Sequence, residues 1–313
     1  MSIEIEEKLE KIPVVRSLVI FFKKIKLKTF EGLSVYDLLE MYAMGIVKGA
    51  LTYRASAISF SFFMAIFPFL LFVLNLIPYI PFVLPDMTAD DFRMEFLHFI
   101  DGLLPPETAS YFNPVFSDIA DKKRGGLLSS VFLLSVFLMT NGINAVFGGF
   151  ENSYHVRINR NVVRQYFVAL GVAVIMALLL LLSVVVLVFL QTDIIERLSN
   201  KGYVENAEQW INVIKFLFFV FITYLFTSIL YYYGTIEGKN TRFFSPGALL
   251  TTVLFVLTSY FFGVYIENFS QYNELYGSIG ALLILMLYIW LNSNILLLGF
   301  ELNASLRSLK RKF

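Results

Sequence analysis

Six stretches of the chain are apolar for long enough to cross a bilayer as helices. A spanning helix needs about 20 mainly apolar residues, and it satisfies its own backbone hydrogen bonds within the segment. These stretches lie at residues 56–84, 127–150, 166–190, 211–233, 246–266 and 277–302. The pattern predicts an all-α polytopic membrane protein, a six-transmembrane-helix bundle whose membrane domain covers residues 55–306.

Amphipathic segments come before the first span. LVIFFKKIKLK sets five aliphatic or aromatic residues before a group of lysines, which suits an anionic membrane surface. SVYDLLEMYAMGIVKGAL follows, with Ser34 as a candidate N-cap. Residues 1–54 are therefore predicted to form cytoplasmic or interfacial amphipathic helices. The second helix is either an interfacial anchor, the more common role of such segments, or a gate or docking surface.

The loop after the first span, residues 85–126, contains a further helical pattern. FRMEFLHFIDGLL repeats apolar residues at helical spacing with acidic residues between them. This predicts a short amphipathic helix that either lies on the outer membrane surface or caps the bundle without touching lipid.

The composition strengthens the membrane assignment and excludes several kinds of site. Of 313 residues, 58% are apolar and 16% charged, against about 45–50% and about 25% in soluble domains. The net charge of +1 gives no electrostatic basis for binding nucleic acid, so none is expected as a partner. The absence of cysteine excludes disulfides, thiolate chemistry and Cys-based metal sites.

The distribution of basic residues predicts the orientation of the six spans. If the N-terminus is cytoplasmic, 18 of the 25 Lys and Arg residues fall on inside segments and seven on outside segments. Cytoplasmic loops carry the excess of Lys and Arg. Both termini are therefore expected in the cytoplasm, with residues 307–313 as a basic cytoplasmic tail.

Proline interrupts the first predicted span and its end. Pro68 lies inside the apolar run, while Pro78, Pro81 and Pro85 lie near its end. Because proline removes a backbone hydrogen bond, the last three are expected to end the helix. Pro68 either kinks the helix or belongs to a broken helix of the kind that transporters use at their binding sites.

The ends of the second and sixth spans resemble each other at an offset of 150 residues. The matched pairs are Asn144/Asn294, Gly149/Gly299, Phe150/Phe300, Glu151/Glu301 and Arg157/Arg307. Each helix then has an amide within the membrane, a glycine and a glutamate near the inner face, and an arginine beyond it. Five matches in these segments indicate an internal repeat.

Polar side chains inside the spans are the candidate functional residues, because they are costly against lipid and so face protein or water. At 1.5 Å per residue, Asn294 lies about 20 Å along the helix from Arg307, and Glu301 about 9 Å. The amides either join helices or line a hydrated path, and both interpretations stay open. The residues of such a path would be Asn144, Asn294, Asn141, Asn292, Glu151, Glu301 and Pro68.

The sequence contains no recognisable catalytic constellation. Its two histidines, His98 and His155, are expected on opposite sides of the membrane, and HExxH, GxSxG, Walker and GxGxxG patterns are absent. No enzymatic activity, cofactor or metal is therefore expected.

Several long segments resemble the YihY/BrkB family of bacterial inner-membrane proteins. They include GALTYRASAISFSFFMAIFPFLLFVLNLI, TNGINAVFGGFENSYHVRINRNVVRQYF, FFSPGALLTTVLFVLTSYFFGVYIENFSQYNELYG and YGSIGALLILMLYIWLNSNILLLGFELNASL, and the resemblance covers residues 40–305. It implies six spans with cytoplasmic ends in a bacterial cytoplasmic membrane. Some members of this family were labelled ribonuclease BN, while others are linked to serum resistance or to export of envelope lipid and polysaccharide. The residues themselves give the ribonuclease label no support.

These observations lead to one functional expectation and one alternative. The leading interpretation is a secondary transporter or exporter of a lipid-like or small envelope-related solute, with a path between spans one, two and six. The bilayer is its expected surrounding partner. The alternative is a non-transporting membrane scaffold for envelope biogenesis, whose amphipathic helices would dock other proteins.

Overall fold

The computed structural model describes residues 34–82, 88–103, 130–156, 160–190, 207–269 and 278–311. These residues form eight α-helices: α1 (Val35–Lys48), α2 (Leu51–Leu76), α3 (Ala89–Leu103), α4 (Ser130–Glu151), α5 (Val162–Phe189), α6 (Ala207–Gly234), α7 (Pro246–Phe269) and α8 (Ser278–Arg311). Two short 3₁₀ segments, Ile77–Phe82 and Ile236–Asn240, follow α2 and α6.

Six of these helices, α2 and α4 to α8, are long and apolar enough to cross a membrane. The predicted all-α six-span bundle is confirmed. The helix that contains the first span begins at Leu51, so Arg54 lies in its first turn.

Two helices organise the packing of the bundle. α2 packs most extensively along α4 and also contacts α8, while α8 contacts α1, α2, α4 and α7. One large apolar cluster runs through the bundle and includes Ile58, Val146 and Leu297. The sixth span is thus central, as the polar residues on two of its faces indicate.

Helix α1 covers one end of the bundle. Its capping box pairs Ser34 with Asp37, which satisfies backbone donors at the start of the helix, so the predicted cap is present. The chain then turns sharply at Gly49 and Ala50, and Ala50 has a φ of 47°. This turn folds α1 back so that it packs on α8 and α2. The segment LVIFFKKIKLK lies outside the described residues.

Helix α3 covers the opposite end, since it packs on the 3₁₀ segment after α2 and on α5. Phe92 and Phe96 have no exposed surface and Phe99 is buried, whereas Met94 is 57% exposed. The aromatic face therefore packs on protein, which favours the capping interpretation over a helix lying in lipid.

The prolines of the first span divide into two groups. Pro68 is buried inside a helix that stays α-helical from Leu51 to Leu76. Pro78 and Pro81 lie in the 3₁₀ segment where the α-helix ends, as their spacing predicts. Pro85 lies outside the described residues.

Candidate functional site

A buried ion pair joins three spans at the end of the bundle that α1 covers. Arg54 Nη2 of α2 donates to Glu301 Oε1 of α8 over 2.6 Å, and the two side chains expose 8% and 0% of their surface. Arg54 Nη1 also donates to the carbonyl oxygen of Gly149, in the last turn of α4, over 2.8 Å. One guanidinium thus fixes the relative positions of α2, α4 and α8.

The second carboxylate oxygen of Glu301 connects the pair to the segment after α4. Ser153 Oγ donates to Glu301 Oε2 over 2.9 Å, and the backbone N–H of His155 donates to Ser153 Oγ over 3.3 Å. The His155 Nε2 atom lies 2.9 Å from the carbonyl oxygen of Met41 in α1. Because a carbonyl oxygen only accepts, this contact requires the proton on Nε2.

The backbone of α1 lies directly against the carboxylate. A Cβ atom placed on Gly45 would lie 2.6 Å from Glu301 Oε2 and 3.0 Å from the His155 ring. Glycine is therefore the residue that permits this approach. Together Gly45, Arg54, Ser153, His155 and Glu301 form one buried group, which we call the Glu301 cluster.

Tyr42 of α1 lies near the same carboxylate. Burial and, to a smaller extent, the negative charge of Glu301 raise the pKa of Tyr42 to about 12. The phenol therefore stays neutral at physiological pH and adds no charge beside the ion pair of Arg54 and Glu301.

Such a pair is a costly feature inside a membrane bundle. Removing one partner of a buried ion pair costs about 3–5 kcal/mol, whereas replacing both with apolar residues is often neutral or stabilising. An ionisable residue within a span is for this reason a functional-site hypothesis with its partner named. The charge attraction between Arg54 and Glu301 adds to the apolar packing that holds α2 against α8.

Glu151, the repeat counterpart of Glu301, has different partners. Both of its carboxylate oxygens lie 3.3 Å from the backbone N–H of Arg160, which donates to them. The Arg160 guanidinium lies over the Phe147 ring at 5.8 Å, and burial lowers the pKa of Arg160. The two glutamates of the repeat therefore do not share one site.

Other members of the repeat do meet. Phe150 and Phe300 stack with ring centroids 4.2 Å apart and an interplanar angle of 6°. Gly149 lies where α4 crosses Ile58 of α2, and Gly299 lies where α8 crosses Gly247 of α7. Each glycine thus allows its helix to approach another span closely, a use of small residues typical of membrane bundles.

The candidate amides have local or neighbouring partners. Asn144 Oδ1 accepts from Gln165 Nε2 over 3.0 Å, which joins α4 to α5. Asn292 and Asn294 donate to carbonyl oxygens four residues earlier in α8, over 2.9 and 2.7 Å. Asn141 is exposed on α4. None of these hydrogen bonds joins one candidate amide to another.

An apolar cavity lies farther into the bundle. It has a volume of about 270 Å³, is lined by residues of α2, α4, α5, α6 and α8, and is open on one side. Its walls include Phe69, the neighbour of Pro68, together with Gly142, Ala173, Met176 and Phe226. All of its lining residues are apolar, so it offers no hydrogen-bonding group from a side chain to a ligand.

Sequence reasoning identified Glu301 but not its partners. Arg54 carried a usable signal, because a lone arginine in a spanning helix requires an opposite charge nearby. Gly45, Ser153 and His155 carried none, since their roles depend on where α1 folds back. The cavity also could not be predicted, because the sequence does not distinguish apolar residues that face a cavity from apolar residues that face lipid.

Among the residues that the structure describes, no three His, Asp or Glu side chains lie close enough together to hold a metal ion.

Comparison with known proteins assigns the whole membrane region to one family. The sequence model described as virulence factor BrkB matches residues 45–312, a range that begins in the last turn of α1 and includes all six spans. No solved structure matches the chain.

Individual relatives agree with that match. The ribonuclease-like protein YfkH of Bacillus subtilis is 26% identical over 261 residues, which cover 82% of this chain and 90% of YfkH. A UPF0761 membrane protein of Xanthomonas oryzae is 42% identical over 65 residues, or 21% of this chain and 15% of that protein. A UPF0761 protein of Xanthomonas axonopodis is 40% identical over 65 residues, with the same coverage.

Proposed function

The chain belongs to the virulence factor BrkB family of membrane proteins, and from that premise we propose that it is a secondary transporter or exporter of a lipid-like or small envelope-related solute. It acts in the bacterial cytoplasmic membrane, with both termini in the cytoplasm. The proposal assigns the chain no enzymatic activity and no cofactor.

One observation carries the proposal, namely the buried ion pair between Arg54 and Glu301. A scaffold with a fixed shape gains little from two charges buried where apolar side chains would pack as stably. A transporter, in contrast, needs a contact between spans that can form and break. The pair supplies one, because its strength depends on the charge of Glu301.

The geometry suggests how this contact would operate. Protonation of Glu301 from the cytoplasmic side would weaken its attraction for Arg54 and loosen the contact of α8 with α2. The same step would loosen α1, which lies against the carboxylate through Gly45. Glu151 stands on α4 beside this region, and Asn144 and Asn294 lie closer to the centre of their helices. A proton gradient could then bias the position of the spans.

The proposal is tested by reconstitution into vesicles that contain a phospholipid with a fluorescent NBD group. Dithionite added outside quenches the NBD group of each lipid that crosses to the outer leaflet, so the loss of fluorescence measures the rate of crossing. The rate is measured with and without an imposed pH gradient. We expect the protein to speed the crossing over that in protein-free vesicles, and Glu301→Gln to remove the increase. Wild-type vesicles that behave like protein-free vesicles would contradict the proposal.

A double variant separates function from folding. Glu301→Gln leaves the Arg54 charge buried without its partner and is expected to destabilise the protein by about 3–5 kcal/mol. Arg54→Met combined with Glu301→Met removes both charges and should recover most of that stability. If the double variant is stable but inactive, the charges serve transport. If it is stable and active, the pair only packs helices, and the proposed dependence of transport on the charge of Glu301 is wrong.

A further inference from the structure

We infer that the cavity between α2, α4, α5, α6 and α8 binds one hydrocarbon chain of a membrane amphiphile, with the polar head left outside it. The inference deepens the proposed function, on which its description as a substrate site rests, because it names the part of the substrate that the protein recognises. Binding of the chain itself can be tested without any assumption about transport.

The chemistry of the walls selects the ligand class. The cavity is lined only by apolar residues, among them Met139, Ala173, Met176 and Leu285. A head group placed here would lose its hydrogen bonds to water without replacement, which is costly. A hydrocarbon chain loses nothing, and it gains contacts with side chains of which the methionines are the most adaptable.

The size of the cavity sets the length of chain that fits. A cavity of about 150 Å³ lined by apolar side chains stays dry and binds benzene. At about 270 Å³ this cavity is nearly twice as large, so it would hold a segment of roughly ten carbon atoms.

The position of the cavity explains how a chain would reach it. Its lining residues lie inside spanning helices, and Ala65 is about 16 Å along α2 from Arg54. Phe62, at the rim, is 38% exposed, and Ile66 and Phe226 are half-buried, so the wall is incomplete toward the lateral surface of the bundle. Acyl chains of the bilayer occupy the same depth and are the apolar ligand available there.

Photochemical labelling tests the inference directly. The protein is placed in lipid nanodiscs that contain phosphatidylethanolamine with a diazirine in the middle of one acyl chain, and labelled residues are identified by mass spectrometry. We expect labelling at Met139 and Met176 in the cavity. Labelling confined to lipid-facing residues such as Leu178, which is 50% exposed, would overturn the inference.

Two variants on α5 provide the matched comparison. Ala173→Leu projects a larger side chain into the cavity and should abolish labelling at Met139. Gly171→Leu adds a side chain where nothing lies within 4 Å and should leave that labelling unchanged. If Ala173→Leu does not fold, Met176→Phe fills the cavity instead. If a variant that fills the cavity folds and Met139 is still labelled as in the wild type, the inference is also overturned.

The outcomes separate this inference from the proposed function. Labelling in the cavity without lipid crossing in the vesicle assay would support the chain-binding site and contradict the proposed transport of lipid. Lipid crossing that depends on Glu301 without labelling in the cavity would support the transporter and overturn the chain-binding site.

Discussion

Glu301 is the residue at which contacts from three separate parts of the chain meet. Its two oxygens bind Arg54 and Ser153, and the backbone of Gly45 lies against one of them. The Glu301 side chain therefore contacts α1, α2 and the segment after α4 at the same time. A substitution at any of these contacts should alter the packing of the whole Glu301 cluster.

The closest of these contacts leads to a prediction at Gly45. Gly45→Ala places a methyl group where Glu301 Oε2 and the His155 ring already lie, and neither can move freely because both are hydrogen-bonded. We expect a loss of about 1–3 kcal/mol in the free energy of unfolding, the usual cost of overpacking. Denaturant-induced unfolding in mixed micelles measures the loss.

Gly171→Ala is the control for this substitution. The added methyl group meets nothing within 4 Å, and alanine favours a helix over glycine by about 1 kcal/mol, so the variant should be neutral or more stable. Equal stabilities for the two variants would show that α1 does not press on the Glu301 carboxylate.

At the scale of elements, the two short helices have different roles although both have amphipathic sequences. α1 packs on α8 and α2 and places Gly45 against the carboxylate of the buried ion pair. α3 packs through phenylalanine on the opposite end of the bundle. The first is therefore placed to respond to charge, whereas the second is placed to close the bundle by apolar packing.

The packing of α3 predicts a clear contrast between two of its residues. Phe96→Ala removes a fully buried ring and should lower the free energy of unfolding by about 3–5 kcal/mol. Met94→Ala changes a side chain that is 57% exposed and should alter stability by about 0.5 kcal/mol or less. The same unfolding assay measures both.

A reversed order of these effects would contradict the packing. A helix that lay on the membrane surface would insert its phenylalanines into lipid, and their loss would weaken lipid contact with little effect on unfolding. The pair of variants thus distinguishes the two interpretations that the sequence of α3 allows.

At the scale of the whole molecule, successive spans run in opposite directions, so the start of one span and the end of the next lie at the same end of the bundle. The Glu301 cluster lies at the end that holds the start of α2 and the end of α4. α3 lies at the other end, beside the 3₁₀ segment after α2. The distribution of positive charges predicts that the first end faces the cytoplasm.

This orientation is testable because the chain has no cysteine. Tyr154→Cys and Met94→Cys introduce thiols at opposite ends, on side chains that are 50% and 57% exposed. A membrane-impermeant maleimide should label Met94→Cys in intact spheroplasts and Tyr154→Cys in inside-out vesicles. The unmodified chain is the control without thiol, and the reverse pattern would place both termini outside.

The six spans could be predicted from the sequence, whereas the partner of the charge at the start of α2 could not. Each span was visible because a run of about 20 apolar residues is typical of a helix that crosses a bilayer. Arg54 lies in the first turn of α2, directly before the apolar run. That charge is tolerated because Glu301, far away in the chain, neutralises it.

The amides show the limit of reasoning by residue type. Asn292 and Asn294 were candidates for contacts across helices or with water, yet each donates to a carbonyl of its own helix. The sequence does not show whether an asparagine side chain will donate to the carbonyl oxygen one turn earlier in its own helix or to a group on another helix. Partner identity, like the shape of the cavity, depends on packing between segments that are distant in the chain.

The separation of Arg54 from Glu301 has a consequence for the order of synthesis. The two residues are 247 positions apart, so at about 5–20 residues per second a ribosome makes the arginine roughly 12–50 s before its partner. During this interval α2 carries a positive charge that α8 cannot yet neutralise. The ion pair can form only after the last span has been made, so the closing of this end of the bundle is a late step in the folding of the new chain.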